Sequence, residues 1–238
     1  AKPVKSAAPR DRPAGNGPAK KKINKPSKKE TLTSRRICFD ILVAVAEGAQ
    51  LDAALNASPD LDTLEDRDRR FVQLLATTCL RRRGQLERVI APMVSRRPFG
   101  AAENANTILV MGAAQLLFLK TEAHAAVDST VELMREAGFD RLTGMANAVM
   151  RRMTREGEAR LTTTTPSDNL PDWLMASWSE HYGAAATAEI TALATTPPPL
   201  DITPKHDAAG WTEKLGGTLI NSTTIRREFD GDVTKLDG

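Results

Sequence analysis

The sequence is poor in the residues that most small-molecule chemistry uses. Phe, Tyr and Trp make up only 4% of the 238 residues, so any core must be aliphatic, and that composition favours helices. The two cysteines, Cys38 and Cys79, stand far apart with no CxxC pair, and the three histidines, His124, His181 and His206, are isolated from one another. Neither a zinc site nor a disulfide framework is indicated, which points to a reducing compartment, the cytoplasm. The longest apolar run, residues 108–119, contains Gln115 and is too short to span a bilayer, and no apolar signal core follows the basic N-terminal stretch. Neither a membrane span nor a leader is expected.

Charge is abundant but unevenly placed. The formal net charge is +3, yet residues 1–30 hold ten Lys or Arg against Asp11 and Glu30, leaving the remaining chain with more acidic than basic groups. Those thirty residues also carry five prolines and almost nothing apolar, so they cannot offset their ordering entropy and are expected to be disordered. One reading makes them an electrostatic arm that neutralises phosphates on nucleic acid. The other makes them a solvated tail.

Beyond the tail the pattern is helical. Ile37, Cys38, Ile41, Leu42 and Val45 fall on one face of a helix over 34–47 that Gly48 ends. Leu51, Ala54 and Leu55 make a short second helix, and a loop through Pro59 leads to a third that Asp66 can cap, with Phe71, Leu74, Leu75 and Thr78 inward. Arg81, Arg82 and Arg83 would occupy its last turn, where cations complement the helix dipole; contact with phosphate is the alternative. Leu86, Val89, Ile90 and Met93 suit another short helix.

The organising stretch is 108–155, three helices that can be buried only against one another. Their inner faces are Leu109, Gly112, Leu116 and Leu119, then His124, Val127, Val131 and Met134, then Leu142, Met145, Ala146, Val149 and Met153. Gly112, Ala113 and Ala114 leave room for a close neighbour, and Gly138 stops the second helix, with Phe139 packing back. The strings GAAQLLFL, HAAVDSTVEL and GMANAVMRR resemble the C-terminal half of the NusB-like helical domain, in the form found at the front of bacterial ribosomal RNA cytosine-C5 methyltransferases of the Sun or RsmB type. In that family two three-helix halves pack into a bundle, and Asp66 and Arg67 match the DR pair that opens the helix joining them. The resemblance implies RNA binding and protein contact for residues 31–160.

Residues 166–196 resemble the family's helical linker. In PDWLMASWSEHYG, Trp173, Leu174, Trp178 and Tyr182 suit an apolar helix flank better than a base-stacking platform, and Ala188, Ile190 and Leu193 continue a second short helix. From residue 197 a partial α/β subdomain of ferredoxin or RRM-like kind is expected, with a strand at 200–203, a helix near 211–215 and extended pieces at 218–220 and 223–226. Pro204 departs from the family, which has a strand-compatible residue there.

Catalytic parts are missing from the pattern. The resemblance implies S-adenosylmethionine for the full-length family, yet no glycine-rich turn follows a strand here, and residues after 202 are too few for a doubly wound sheet. Thr78 and Cys79 spell the family's Thr-Cys nucleophile pair but lie within a helix among apolar neighbours, where a thiol stays protonated. Cys38 reads the same way, His124 reads as structural near a helix start, and Glu132 and Glu136 face solvent beside Arg135. No catalytic, cofactor or metal residue is therefore expected in this chain.

The sequence thus points to a mainly all-α protein: a NusB-like bundle, a helical linker and the start of a small α/β unit, truncated before a methyltransferase domain. Its expected role is ribosomal RNA binding and placement. The residues expected to meet RNA are Lys28, Lys29, Arg35, Arg36, Arg81, Arg82, Arg83, Arg151 and Arg152. A free-standing NusB-type antitermination factor shares the bundle but leaves 166–238 unexplained, and a helical adaptor that binds proteins through the bundle surface is the third reading.

Overall fold

The computed structural model describes residues 28–95, 98 and 100–227. The expected disordered arm lies outside them up to residue 27. The first helix, α1 (Lys28–Ala46), starts six residues before the predicted Ser34, because no proline or glycine stands between Pro26 and Gly48 to stop it. It is followed by α2 (Leu51–Asn56), α3 (Pro59–Asp62), α4 (Asp66–Arg81) and α5 (Arg83–Ile90). The segment predicted as a loop through Pro59 is thus partly helical, with proline at the first helical position, where its missing N–H costs nothing.

Three long helices complete the bundle: α6 (Ala105–Leu117), α7 (Ala123–Glu136) and α8 (Thr143–Leu161). Helix α6 is the centre. Every residue from Ala105 to Gln115 is buried, because α1, α4, α5, α7 and α8 all pack against it. The amphipathic face expected for this helix is therefore a full circumference, and Leu116 and Leu119, placed inward by the sequence, are only half-buried. Gly112 permits the fit: a Cβ there would lie 2.5 Å from the Thr130 hydroxyl of α7 and 2.8 Å from the Met150 sulfur of α8.

The flanking helices shift slightly from their predicted phases. In α7 the buried residues are Ala126, Val127, Thr130, Leu133 and Met134, while His124 is exposed in the first turn. In α4 they are Val72, Leu75, Ala76 and Cys79, whereas Leu74 is 50% exposed and Phe71 and Thr78 are half-buried. The predicted α4 face was about one position out, since Leu74 and Leu75 are equally apolar and the pattern alone cannot rank them. Asp66 is the first residue of α4 and Glu65 takes the cap position, with no side-chain cap bond. Gly48 and Gly138 do close α1 and α7. Each takes a positive φ, and the paired backbone bonds Ala49 N to Ala44 O and Phe139 N to Met134 O wrap each helix end.

Past α8 a 3₁₀ turn, Pro166–Asn169, leads into α9 (Asp172–Tyr182) and α10 (Ala184–Ala194). The expected apolar flank does not form a core. Trp173 is 70% exposed, Leu193 71% and Tyr182 55%, and the buried side of α10 consists of Thr187 and Thr191, whose hydroxyls donate back to carbonyls of their own helix. The two helices pack chiefly on each other, and α10 also on the 3₁₀ turn, so Trp173, Tyr182 and Leu193 stay outside the bundle core.

The chain then forms β1 (Leu200–Ile202), α11 (Ala208–Leu215), β2 (Thr218–Leu219) and β3 (Ile225–Arg227), an antiparallel sheet in the order β1-β3-β2 with α11 packed on it. Ile202 pairs with Ile225 and Leu200 with Arg227. Pro204 lies two residues past β1 and so leaves the ladder intact.

The bundle and the turn after it meet at Gly84. A Cβ on Gly84 would stand 1.7 Å from the Asp168 carbonyl oxygen, so only glycine admits that backbone. Gly84→Ala should lower stability by about 1–3 kcal/mol despite the better helix propensity of alanine. The check is urea unfolding; an unchanged or raised midpoint would refute the close approach.

Candidate nucleic-acid interface

The arginines fall into three physical classes, and only one can meet an outside anion without first breaking an internal contact. Arg35 is the clearest correction to the sequence reading. It is 5% exposed, its Nε donates to Gln115 Oε1 at 2.6 Å, and its guanidinium lies 5.0 Å from the centre of the Phe71 ring. Burial lowers its pKa to about 10, against the opposing influence of Cys38 and Asp68. Arg35 satisfies the amide of the central helix and presents nothing to solvent. In the sequence it looked like Arg36, its neighbour; one step of 100° on the helix separates core from surface.

Four others are engaged at the surface. Arg36 pairs with Asp40 at 3.0 Å and donates through Nη1 to the Glu136 carbonyl at 3.0 Å, tying α1 to the C-terminal end of α7, where a cation complements the dipole. The three consecutive arginines do not share the last turn of one helix as predicted. Arg81 ends α4, Arg82 forms the break, and Arg83 opens α5. Arg82 donates to Gln85 Oε1 at 3.0 Å and lies 4.9 Å from the Phe118 ring centre, and partial burial lowers its pKa. Arg83 pairs with Glu87. Arg152 pairs with Glu156 at 2.9 Å and donates to the Pro92 carbonyl at 2.9 Å, bridging α8 to the 3₁₀ turn Ala91–Met93 that follows α5.

Arg81 and Arg151 are the open members of the expected set. Arg81 makes no hydrogen bond or ion pair among the described residues, and exposed Arg151 donates only to Asn147 Oδ1 at 3.1 Å. Lys28 and Lys29 stand in the first turn of α1, and their side chains are not described. Glu156 accepts from both Arg152 and Arg160, and those bonds hold its carboxyl at about 2. It therefore stays ionised at any physiological pH and keeps both arginines occupied.

Sequence reasoning missed the polar clasp beside this surface. The Gln85 backbone N–H donates to Asn169 Oδ1 at 2.9 Å, Asn169 Nδ2 donates back to Gln85 Oε1 at 2.9 Å, and Gln85 Nε2 donates to Thr164 Oγ1 at 2.8 Å. Arg88 adds a bond to Asp168 Oδ1 at 2.6 Å, while Asp168 Oδ2 accepts from the Thr165 N–H. Together these fix the 3₁₀ turn against α5. A glycine directly after RRR, at the start of a helix, was the one signal that a backbone must come close there.

Both cysteines are completely buried, and burial raises both thiols, Cys79 to about 12. Among the described residues no group of His, Cys, Asp or Glu could hold a metal ion, and no helix is long and apolar enough to cross a membrane.

Two outcomes follow. Arg35→Ala leaves Gln115 buried without its donor and should cost about 1–3 kcal/mol in chemical unfolding, whereas a surface arginine in its place would cost little. Cys38 and Cys79 should resist a thiol reagent in the folded protein and react in denaturant. The unfolded Cys79 thiol ionises near 9 and the folded one only near 12, so its contribution to stability is complete below pH 9 and declines as pH rises through that interval.

Residues 32–155 match the NusB family. The chain is 34% identical over 159 residues to the ribosomal RNA small subunit methyltransferase B of Xanthomonas campestris pv. campestris, a match covering 66% of this chain and 35% of that protein. The protein of the same name from Thermus thermophilus is 32% identical over 161 residues, covering 66% and 38%, and that from Pseudomonas putida 33% over 157 residues, covering 62% and 35%. The chain thus spans about a third of the length of these curated relatives. A chain from the crystal structure of antitermination factors NusB and NusE in complex with dsRNA superposes with a TM-score of 0.46 at 19% identity, covering 54% of this chain and 98% of that one. Since the family match takes in just over half of the residues, from within α1 to within α8, the chain belongs to the NusB family.

Proposed function

We propose that this chain is the RNA-binding region of an S-adenosylmethionine-dependent ribosomal RNA (cytosine-C5) methyltransferase, and that it places the RNA for a reaction carried out elsewhere in a longer protein. The observation that carries this reading is the length of the alignment to the methyltransferases B. At 157–161 residues it exceeds the 124 residues of the NusB match, so the relationship takes in more than the bundle. A free-standing antitermination factor would account for residues 32–155 alone.

The chemistry of the described residues agrees with a binding role. Open guanidinium groups at Arg81 and Arg151 are point anchors for phosphate, and the lysine-rich N-terminal stretch adds long-range attraction. The described residues do not fit S-adenosylmethionine: the sheet is three-stranded and antiparallel, and no glycine-rich turn follows any of its strands. The cofactor is therefore assigned to the longer protein, ribosomal RNA is the partner, and the cytoplasm is the proposed location. An adaptor that binds proteins through the bundle remains the competing reading; it would keep its partners from a lysate after ribonuclease treatment, whereas the proposed RNA binder would lose them.

A filter-binding titration of the whole chain with a structured fragment of small-subunit ribosomal RNA tests the proposal. Affinity should fall steeply with rising salt, and the combined reversal Arg151→Glu and Arg152→Glu should weaken binding and lower the log-log salt slope by about 1–2. Most of that loss should come from Arg151, since Arg152 is already held by Glu156 and Pro92. A flat salt response would remove the RNA reading.

A further inference from the structure

Helix α4 carries a row of cations that no other described residue engages. With 100° per residue, Arg67, Arg70, Leu74, Thr77 and Arg81 lie within an arc of about 80°, diametrically opposite the buried Val72, Leu75, Ala76 and Cys79. Arg67 and Arg70 are exposed, Leu74 is 50% exposed, and Thr77 and Arg81 are half-exposed. None of the three arginines makes a hydrogen bond or ion pair among the described residues. The contrast with α8 is sharp, where Glu156 occupies Arg152 and Arg160. No carboxylate stands within the arc. Asp66, at its edge, has a partner of its own, and Asp68 lies on the opposite, core-facing side, toward Arg35.

The spacing along the axis has chemical meaning. Arg67 and Arg70 are about 4.5 Å apart along the helix, and about 16 Å separates Arg70 from Arg81. Cationic ends flank a middle that holds only Leu74 and Thr77. The Thr77 hydroxyl donates to the Gln73 carbonyl at 2.8 Å, which leaves its oxygen able to accept. A-form RNA has a complementary surface: two phosphate backbones bordering a wide, shallow minor groove lined with 2′-hydroxyls. Guanidinium groups at either end suit the two backbones, while an apolar side chain and an acceptor oxygen suit the sugars between.

We infer that the outer face of α4 is a docking surface for double-stranded RNA, with Arg67 and Arg70 on one phosphate backbone, Arg81 on the other, and Leu74 and Thr77 over the sugars between. This rests on the RNA-binding reading above and specifies where and in what form the RNA is held. It also explains why Leu74 faces outward on a helix whose other large aliphatic residues are covered. An acidic protein surface would be drawn to the same arginines but offers no matching reason for the apolar, hydroxyl-bearing middle.

The test uses the full chain and two fluorescent probes, an RNA hairpin with a long duplex stem and a single strand of the same length. The triple variant R67Q/R70Q/R81Q, with R67E/R70E/R81E as its stronger counterpart, is compared with R141E/K205E/K214E, which makes the same charge change as the latter elsewhere on the surface. The Gln triple should lose about tenfold or more in duplex affinity and about 2–3 in salt slope, with a smaller effect on the single strand, while the remote triple stays within about threefold of the parent. Unchanged thermal midpoints confirm that folding is intact, as expected for exposed side chains. If the parent binds duplex with steep salt dependence and the Gln triple binds equally well, the α4 surface is wrong and the RNA reading stands. If the parent binds neither probe at low salt, the RNA reading itself fails. If the triple keeps RNA but loses a protein partner that survives ribonuclease, the surface serves protein and the inference is overturned.

Discussion

The constraint on which the fold depends is that α6 has no side facing water. A helix buried on every side must have a neighbour on every side, and each polar group it carries must find a partner inside. Five helices supply the neighbours. Gly112 brings α7 and α8 close enough to touch, and Gln115 is satisfied by Arg35 from α1 and by donating to the Met111 carbonyl of its own helix. No buried side-chain nitrogen or oxygen among the described residues lacks a partner. A buried guanidinium is costly to desolvate, so its presence marks how firmly the centre is specified.

The junction after the bundle is made differently. Burial of apolar surface contributes little there; a glycine lets two backbones touch, and Gln85, Asn169, Thr164, Arg88 and Asp168 bond across the contact. Such a clasp is directional, because several bonds of fixed geometry admit one arrangement, whereas an apolar contact can slide. The direction in which the chain leaves α8 toward α9 is set by it, with α5 as the anchor. The helices beyond bury threonines and leave Trp173 and Leu193 in solvent, so this part of the chain does not extend the bundle core.

The distribution of charge follows the same division of labour. Arg35 serves the core, Arg36, Arg82 and Arg152 tie elements together, Arg83 is held by Glu87 of its own helix, and among the described residues Arg67, Arg70, Arg81 and Arg151 are left to solvent or to a ligand. A guanidinium already held by a carboxylate and a carbonyl must give up both to bind phosphate, and that exchange erodes any gain. Affinity for an anion should therefore come from the open groups, wherever they cluster.

Periodicity was enough to place the longer helices of the bundle in order and the glycines that end α1 and α7, because apolar spacing and positive-φ demand are local properties of the chain; it missed α3, the early start of α1 and the break at Arg82. The short strands after residue 200 fall close to where the family resemblance placed them. Local pattern could not say which of two adjacent arginines enters the core, since Arg35 and Arg36 differ only by where α6 lies. Nor could it rank Leu74 against Leu75, or show that Trp173 has no core to join. Those outcomes depend on which helices surround which, and only the packed tertiary structure holds that information; it is also what separates an arginine that holds the fold together from one left open to an outside anion.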